Sequence, residues 1–257
     1  MKASLKKIIK NNFIYKKIDR SLLTRSFNKW TETDEIRYEF YRQFIKGDDT
    51  VFDIGANMGN RSKIFLKLGA KVVAVEPQQV CIDFLESVII NNTRFSLVKK
   101  ALGSEKGEKE MLISDAHTIS SLSPGWIEAT KKSGRFAEFE WNKKELVNVT
   151  TLDALINDYG NPSFIKIDVE GYEYEVLSGL SVPVNCLSIE FTPEFAENTF
   201  KCIRHMNSIS GYQYQFSAGE NMKFEFPGWI ATDEILEYLK SLDKKEFGDV
   251  YIKKIQK

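Results

Sequence analysis

In this 257-residue chain, carboxylates, glycines and asparagines collect where apolar runs end. The stretch "TVFDIGANMGN", residues 50 to 60, runs as a buried strand into a turn carrying Asp53, Gly55, Asn57 and Gly59. A dinucleotide-binding turn spaces its glycines at relative positions 1, 3 and 6, so that backbone and helix N-terminus cradle a pyrophosphate. Here Gly55 and Gly59 stand at positions 1 and 5, with Asn57 between them and Asn60 in place of the last glycine. That spacing argues against a dehydrogenase. It suits a ligand without phosphate, an adenosine bearing an amino-acid tail. The glycines let the backbone approach such a ligand closely, and Asp53 offers its ammonium an acid, directly or through water. Glu76 ends the next apolar run, "KVVAVEP", seventeen residues after Gly59, where a carboxylate accepts both hydroxyls of a ribose.

A second set of acids lies further along. Asp168 and Glu170 follow "FIKI" and precede Gly171, which gives the turn room, so both carboxylates can face one cleft; Glu190 sits in "SIEF". Each is a candidate proton acceptor. So is His117 in "SDAHTISSL", a loop imidazole that titrates near neutral pH. His205, in a helical stretch, reads as structural. Grouped carboxylates are also a place for Mg²⁺, which would lower a hydroxyl's pKa instead of taking its proton. Direct proton transfer is the preferred reading, and no metal ligand is assigned.

These residues need elements to hold them. From residue 50 onward apolar runs alternate with helical patterns, the signature of a mostly parallel sheet covered on both faces. Strands are expected at "TVFDIGA", "KVVAVEP", "FSLVKKALG", "SFIKIDVEG" and "CLSIEF". Helices are expected after Asn60, which can cap the first, and over "QQVCIDFLESVIINN", "TLDALINDY", "YEYEVLSGL" and "ENTFKCIRHMNSIS". The alternating Tyr212, Tyr214 and Phe216, with "GDVYIKK", predict two antiparallel closing strands. Residues 104–145 break the rhythm and read as an insertion that shapes the acceptor pocket. There Trp126, Trp141 and Arg135 suit either stacking on a sugar ring or a packed lid.

Composition bounds the rest. At 42% hydrophobic, the chain can bury a core as one large domain or a domain with an appendage. No apolar run reaches transmembrane length and no signal-peptide pattern opens the chain, so a cytoplasmic protein is expected. Cys81, Cys186 and Cys202 lie far apart and read as reduced thiols, neither a disulfide framework nor a zinc site. Thirty-six basic residues balance 36 acidic ones, but residues 1–30 hold nine Lys or Arg against Asp19, leaving 27 basic and 35 acidic residues in the body. A mildly acidic body lacks the broad basic footprint of a nucleic-acid binder, so no nucleic-acid partner is expected.

The motifs resemble those of the FkbM-type methyltransferases, which use S-adenosylmethionine. The resemblance rests on "VFDIGANMG", "VVAVEP", "KKALG" with "GEKEMLIS" after it, "SSL" at residues 120 to 122, "VTTLDALI", "FIKIDVEGYEYEVLSG" and "LSIEF", spanning roughly residues 50 to 191. It implies a class I methyltransferase (Rossmann-like) three-layer α/β sandwich, with a mostly parallel seven-stranded sheet and an antiparallel closing strand. It also implies O-methylation, often of sugars or secondary metabolites. Cofactor contacts then fall on Asp53, Gly55, Asn57, Gly59 and Glu76, with Asp168 beside the reacting centre. Ala56, Pro77, Ala101 and Ser120 lie inside the same motifs. The domain expected is 46–257, preceded by a basic helical extension over 1–45.

Three alternatives stay open. Small-molecule N-methylation usually shows prolines and an aromatic at the end of the fourth strand, where this chain has "DVEG". A methyltransferase-fold binding module without turnover would lack the intact acids. For residues 1–30, whose apolar and basic positions fall at helical spacing, a helix packed on the body is weighed against a peripheral hold on an anionic membrane.

Overall fold

The computed structural model describes residues 20–89 and 91–256. Most of the basic segment 1–30 lies outside them, so neither reading of that segment is addressed. Among the described residues no helix is long and apolar enough to cross a membrane.

Helices α1 (Arg20–Asn28) and α2 (Glu32–Tyr41) precede the sheet. Strands β1 (Thr50–Ile54), β2 (Lys71–Val75) and β3 (Phe95–Val98) alternate with α3 (Asn60–Lys67) and α4 (Gln79–Ile89). In and around the insertion lie β4 (Ala101–Leu102), β5 (Gly107–Ile113), α5 (Pro124–Ser133) and β6 (Lys143–Thr150). Alternation then resumes with α6 (Leu152–Tyr159), β7 (Phe164–Ile167), α7 (Glu173–Ser178), β8 (Cys186–Phe191) and α8 (Ala196–Ile209). The chain closes with β9 (Tyr212–Ala218), α9 (Thr232–Ser241) and β10 (Gly248–Lys254).

The main sheet has seven strands in the order β3-β2-β1-β7-β8-β10-β9. All its pairs are parallel except those of β10, which runs antiparallel to both β8 and β9. This is the class I methyltransferase topology. Its strand order reverses between β1 and β7, the place where an open α/β sheet holds its ligand. Because β-strand side chains alternate between faces, Phe52, Ile54, Ile165 and Ile167 pack toward α6–α9, whereas Val51, Val72 and Phe164 pack with Phe40 and Tyr41 of α2 and Ile64 and Phe65 of α3.

Three expectations change. "FSLVKKALG" is two strands: β3 edges the main sheet, and after Lys99 and Lys100 the chain turns away so that β4 pairs with β6 in a separate three-stranded sheet, β4-β6-β5. Asn60 is the first helical residue; the cap is Gly59, left-handed at φ 74° and without a side-chain bond. The insertion holds a helix, α5, capped by the Ser123 side chain and begun by Pro124.

Candidate functional site

The turn after β1 is built from left-handed residues. Gly55 has φ 76°, Asn57 49° and Gly59 74°, and only glycine or a residue like asparagine adopts such angles cheaply. Gly55 also has no room for a side chain, since a Cβ there would stand 1.9 Å from the Asp168 carbonyl oxygen. At Gly59 a Cβ would meet Leu85 of α4 at 2.6 Å. Gly59 therefore serves packing and does not line the cavity, contrary to the sequence expectation. Asn57 holds the loop: its Oδ1 accepts from Met58 N at 2.9 Å and its Nδ2 donates to the His117 carbonyl at 3.2 Å.

Glu76 stands across from this turn, 2% exposed. Its Oε2 accepts from Asn57 N and its Oε1 from Gln78 N, each at 2.8 Å. Burial pushes its carboxyl up to about 7 against the pull of these two N–H donors. Each oxygen keeps further acceptor capacity. Gln78 Nε2 donates to the His117 carbonyl at 3.0 Å, while Gln78 Oε1 and His117 Nδ1 are buried without a partner. His117 thus belongs to the Glu76 end of the site and is outside the carboxylate group where the base was sought. Burial lowers its pKa. Ser120 lines the cavity too, but its Oγ is engaged with Ser114 N at 3.1 Å.

The acids after β7 and in β8 do come together. Carboxylate oxygens of Asp168, Glu170 and Glu190 lie within 4.8 Å of one another. Glu170, at φ 53°, precedes Gly171 at φ 85° and lies three residues before α7, so it is a turn residue. Burial, and then the neighbouring acids, raises both Glu170 and Glu190 well above the usual carboxylate range; three carboxylates this close resist ionising together. Lys166, 2% exposed in the middle of β7, places Nζ 2.9 Å from Asp249 Oδ1 and 3.4 Å from Asp168 Oδ2. Asp53 pairs in register with Lys166 and is 2% exposed, and its Oδ2 accepts from Ser62 Oγ at 2.6 Å.

The insertion closes over these acids. Ser121 Oγ donates to the Glu170 carbonyl at 2.6 Å, and a Cβ on Gly171 would fall 2.3 Å from the Trp126 side chain. Trp126 is 1% exposed among Ala116, Ile119 and Ile127. Trp141 Nε1 donates to the Ile119 carbonyl, and Arg135 pairs with Glu194. Trp126 is buried, Trp141 and Arg135 are half-buried, and none of the three lines the cavity.

One cavity of about 320 Å³ joins both halves. Asp53, Gly55, Ala56, Asn57, Glu76, Pro77, Ala101, His117, Ser120, Asp168, Glu170 and Glu190 all line it. The sequence reading passed over Gln78, Lys166 and Tyr172, which line it as well. A lysine inside a four-residue apolar strand was a legible signal. Tyr172 was not, because it required knowing that the turn after β7 folds back on the cavity.

The model of the methyltransferase FkbM domain matches residues 53–246. The chain belongs to the FkbM methyltransferase family. It is accordingly an S-adenosylmethionine-dependent methyltransferase, and the cavity fits that cofactor: Glu76 has acceptor capacity for ribose hydroxyls, and the buried, unpartnered Gln78 Oε1 and His117 Nδ1 stand beside it for a base. No curated protein matches this FkbM chain. Similar solved structures include a precorrin-6Y C5,15-methyltransferase from Geobacter metallireducens, at TM-score 0.45 and 11% identity over 86% of this chain and 87% of that one. Another is a putative rRNA methylase from Clostridium thermocellum, at 0.43 and 10% over 89% and 99%. A putative methyltransferase from Streptococcus mutans in complex with SAH matches at 0.41 and 10% over 88% and 100%.

The exclusion of nucleic acid made from net charge is withdrawn. Structures described as a putative rRNA methylase, a putative RNA methyltransferase and a fibrillarin pre-rRNA processing protein stand among the similar ones. Net charge averages the whole surface, whereas a contact needs only a local field.

Proposed function

We propose that this chain transfers the methyl group of S-adenosylmethionine to a hydroxyl oxygen of a saccharide, glycan or secondary metabolite. The observation carrying this reading is the group Asp168, Glu170 and Glu190, within 4.8 Å of one another, with the Lys166 ammonium against Asp168. The bound cofactor supplies a methyl group already activated on a positively charged sulfur. The protein must therefore align an oxygen with it and manage the oxygen's proton. Alignment weighs most, up to about 7–11 kcal/mol of barrier, while a general base adds roughly 10²- to 10⁴-fold.

Each residue has a part in this reading. Glu76 accepts the ribose hydroxyls, and the turn at Gly55 and Asn57 lets the backbone lie against the ligand. Lys166 sets its ammonium 3.4 Å from Asp168, whose side chain is 41% exposed and lines the cavity. On transfer of the methyl group to the hydroxyl oxygen, an Asp168 oxygen would take the hydroxyl proton. Glu170 and Glu190, resisting ionisation, can donate to or accept from further hydroxyls, which suits a polyhydroxylated acceptor.

The test is an acceptor screen with methyl-labelled cofactor across saccharides, glycans, alcohols, amines and RNA oligonucleotides. Label in an ether on a small-molecule or glycan hydroxyl is expected. Label on an amine or on RNA overturns the acceptor class, and binding without any transfer overturns the reaction.

A further inference from the structure

At the cavity end formed by the first turn of α3, two guanidinium groups share one acceptor. Arg61 Nη2 donates to Glu220 Oε2 at 2.7 Å, and Arg37 Nη2 donates to the same oxygen at 3.1 Å. Among the described residues these are the only hydrogen bonds either side chain makes, and both Nε atoms are buried without a partner. The two arginine side chains are only 16% and 12% exposed, while that of Glu220 is 59% exposed. Glu220 follows Gly219, left-handed at φ 54°, in the connection after β9. Two nearly desolvated cations thus share a single oxygen, reached from a largely solvated loop. A guanidinium offers a fork of donors matched to a carboxylate, and leaving them unpaired in a buried place is costly.

The placement says which carboxylate would fit. Arg37, Arg61 and Glu220 line the same cavity as Asp53 and Glu76. With a ribose on Glu76, the unpartnered Gln78 and His117 atoms take the base side, so an amino-acid tail extends toward β1 and α3. That wall carries both signs, the acid Asp53 and the pair Arg37 and Arg61, as a tail with an ammonium and a carboxylate requires. The amides of the first turn of α3, where Asn60 and Arg61 sit, favour an anion as well.

We infer that Arg37 and Arg61 are the seat of the α-carboxylate of the cofactor's amino-acid tail, and that Glu220 fills this seat until the cofactor displaces it. The inference rests on S-adenosylmethionine occupying the cavity. Calorimetry of the full chain with S-adenosylhomocysteine, and with 5′-methylthioadenosine, which lacks the amino-acid tail, tests it. Arg61→Met and Arg37→Met should each weaken S-adenosylhomocysteine by roughly 10- to 100-fold and leave 5′-methylthioadenosine unchanged. Arg61→Lys should recover part of the loss, and Glu220→Gln should tighten S-adenosylhomocysteine alone. Equal losses for both ligands, an unchanged S-adenosylhomocysteine affinity in the arginine variants, or a Glu220→Gln protein that binds it more weakly overturns the inference. Wild-type protein that binds neither ligand removes the cofactor's placement and the inference together.

Discussion

A Cβ built on Gly55 would stand 1.9 Å from the carbonyl oxygen of Asp168, so the turn that follows β1 and the residue that follows β7 touch backbone to backbone. Neither atom belongs to a side chain that can swing away. Gly55→Ala must part the two strand ends or abandon the left-handed φ of 76°. The expected outcome is a melting temperature lower by more than about 5 °C and no further thermal shift on adding S-adenosylhomocysteine. An alanine variant with wild-type melting and binding would show that the two turns are free to move apart.

Glu76 links cofactor binding to pH. Burial holds its carboxyl at about 7 in the free protein, and hydroxyl donors of a ribose favour the ionised form. Binding should then release a proton, and affinity should rise as pH rises through 7. Calorimetry in buffers of differing ionisation enthalpy measures that proton. Glu76→Gln should abolish the pH slope and weaken binding by roughly 10- to 100-fold.

Glu173 acts on stability with a defined sign. It is 3% exposed, accepts from Gly171 N at 3.1 Å and Val169 N at 3.3 Å, and is raised by burial from its usual 4.5 to about 7. Between those values the folded chain keeps a proton that the unfolded chain has lost. Its contribution is therefore complete below pH 4.5 and is lost as pH rises through 7. Glu173→Gln, which keeps the acceptor oxygen, should flatten the melting profile across this window and melt above wild type at alkaline pH.

Asp168 is expected to serve the reaction and not the fold. Asp168→Asn should lower kcat by about 10²-fold or more while leaving the S-adenosylhomocysteine affinity near wild type. Lys166→Met removes the ammonium 3.4 Å from Asp168 and should lower kcat as well. An unaltered kcat in Asp168→Asn would move the base to Glu170 or Glu190, the two carboxyls beside it.

The same three carboxylates are where Mg²⁺ would bind if the reaction used it. Lys166 already supplies a positive charge at Asp168, so activity is expected to survive exhaustive chelation. Activity lost to chelation and restored by Mg²⁺ would assign the group to a metal.

Much of the site was legible in the chain because its chemistry sits where strands end. In "TVFDIGANMG" and "FIKIDVEG" an apolar run, an acid and a glycine follow one another within a few residues, and local stereochemistry alone requires a turn there. The α9 helix had a signal too, in the spacing of Ile235 and Leu239, now buried. Elsewhere the local pattern was silent. "FSLVKKALG" reads as one strand because nothing within it says that two sheets divide it.

Hydrophobic periodicity and turn chemistry act over a few neighbouring residues, so the alternation of strands and helices and the acids at the strand ends follow from the chain alone. Which distant groups meet depends on how the strands are ordered in the folded sheet. Glu190 joins Asp168 because β7 and β8 lie side by side, Lys166 finds Asp249 83 residues away because β10 enters the sheet beside β8, and Glu220 reaches Arg37 and Arg61 across 183 and 159 residues. Sheet order and chain reversal bring those groups into one desolvated space, where charges act on one another strongly, and no local run of residues records that order.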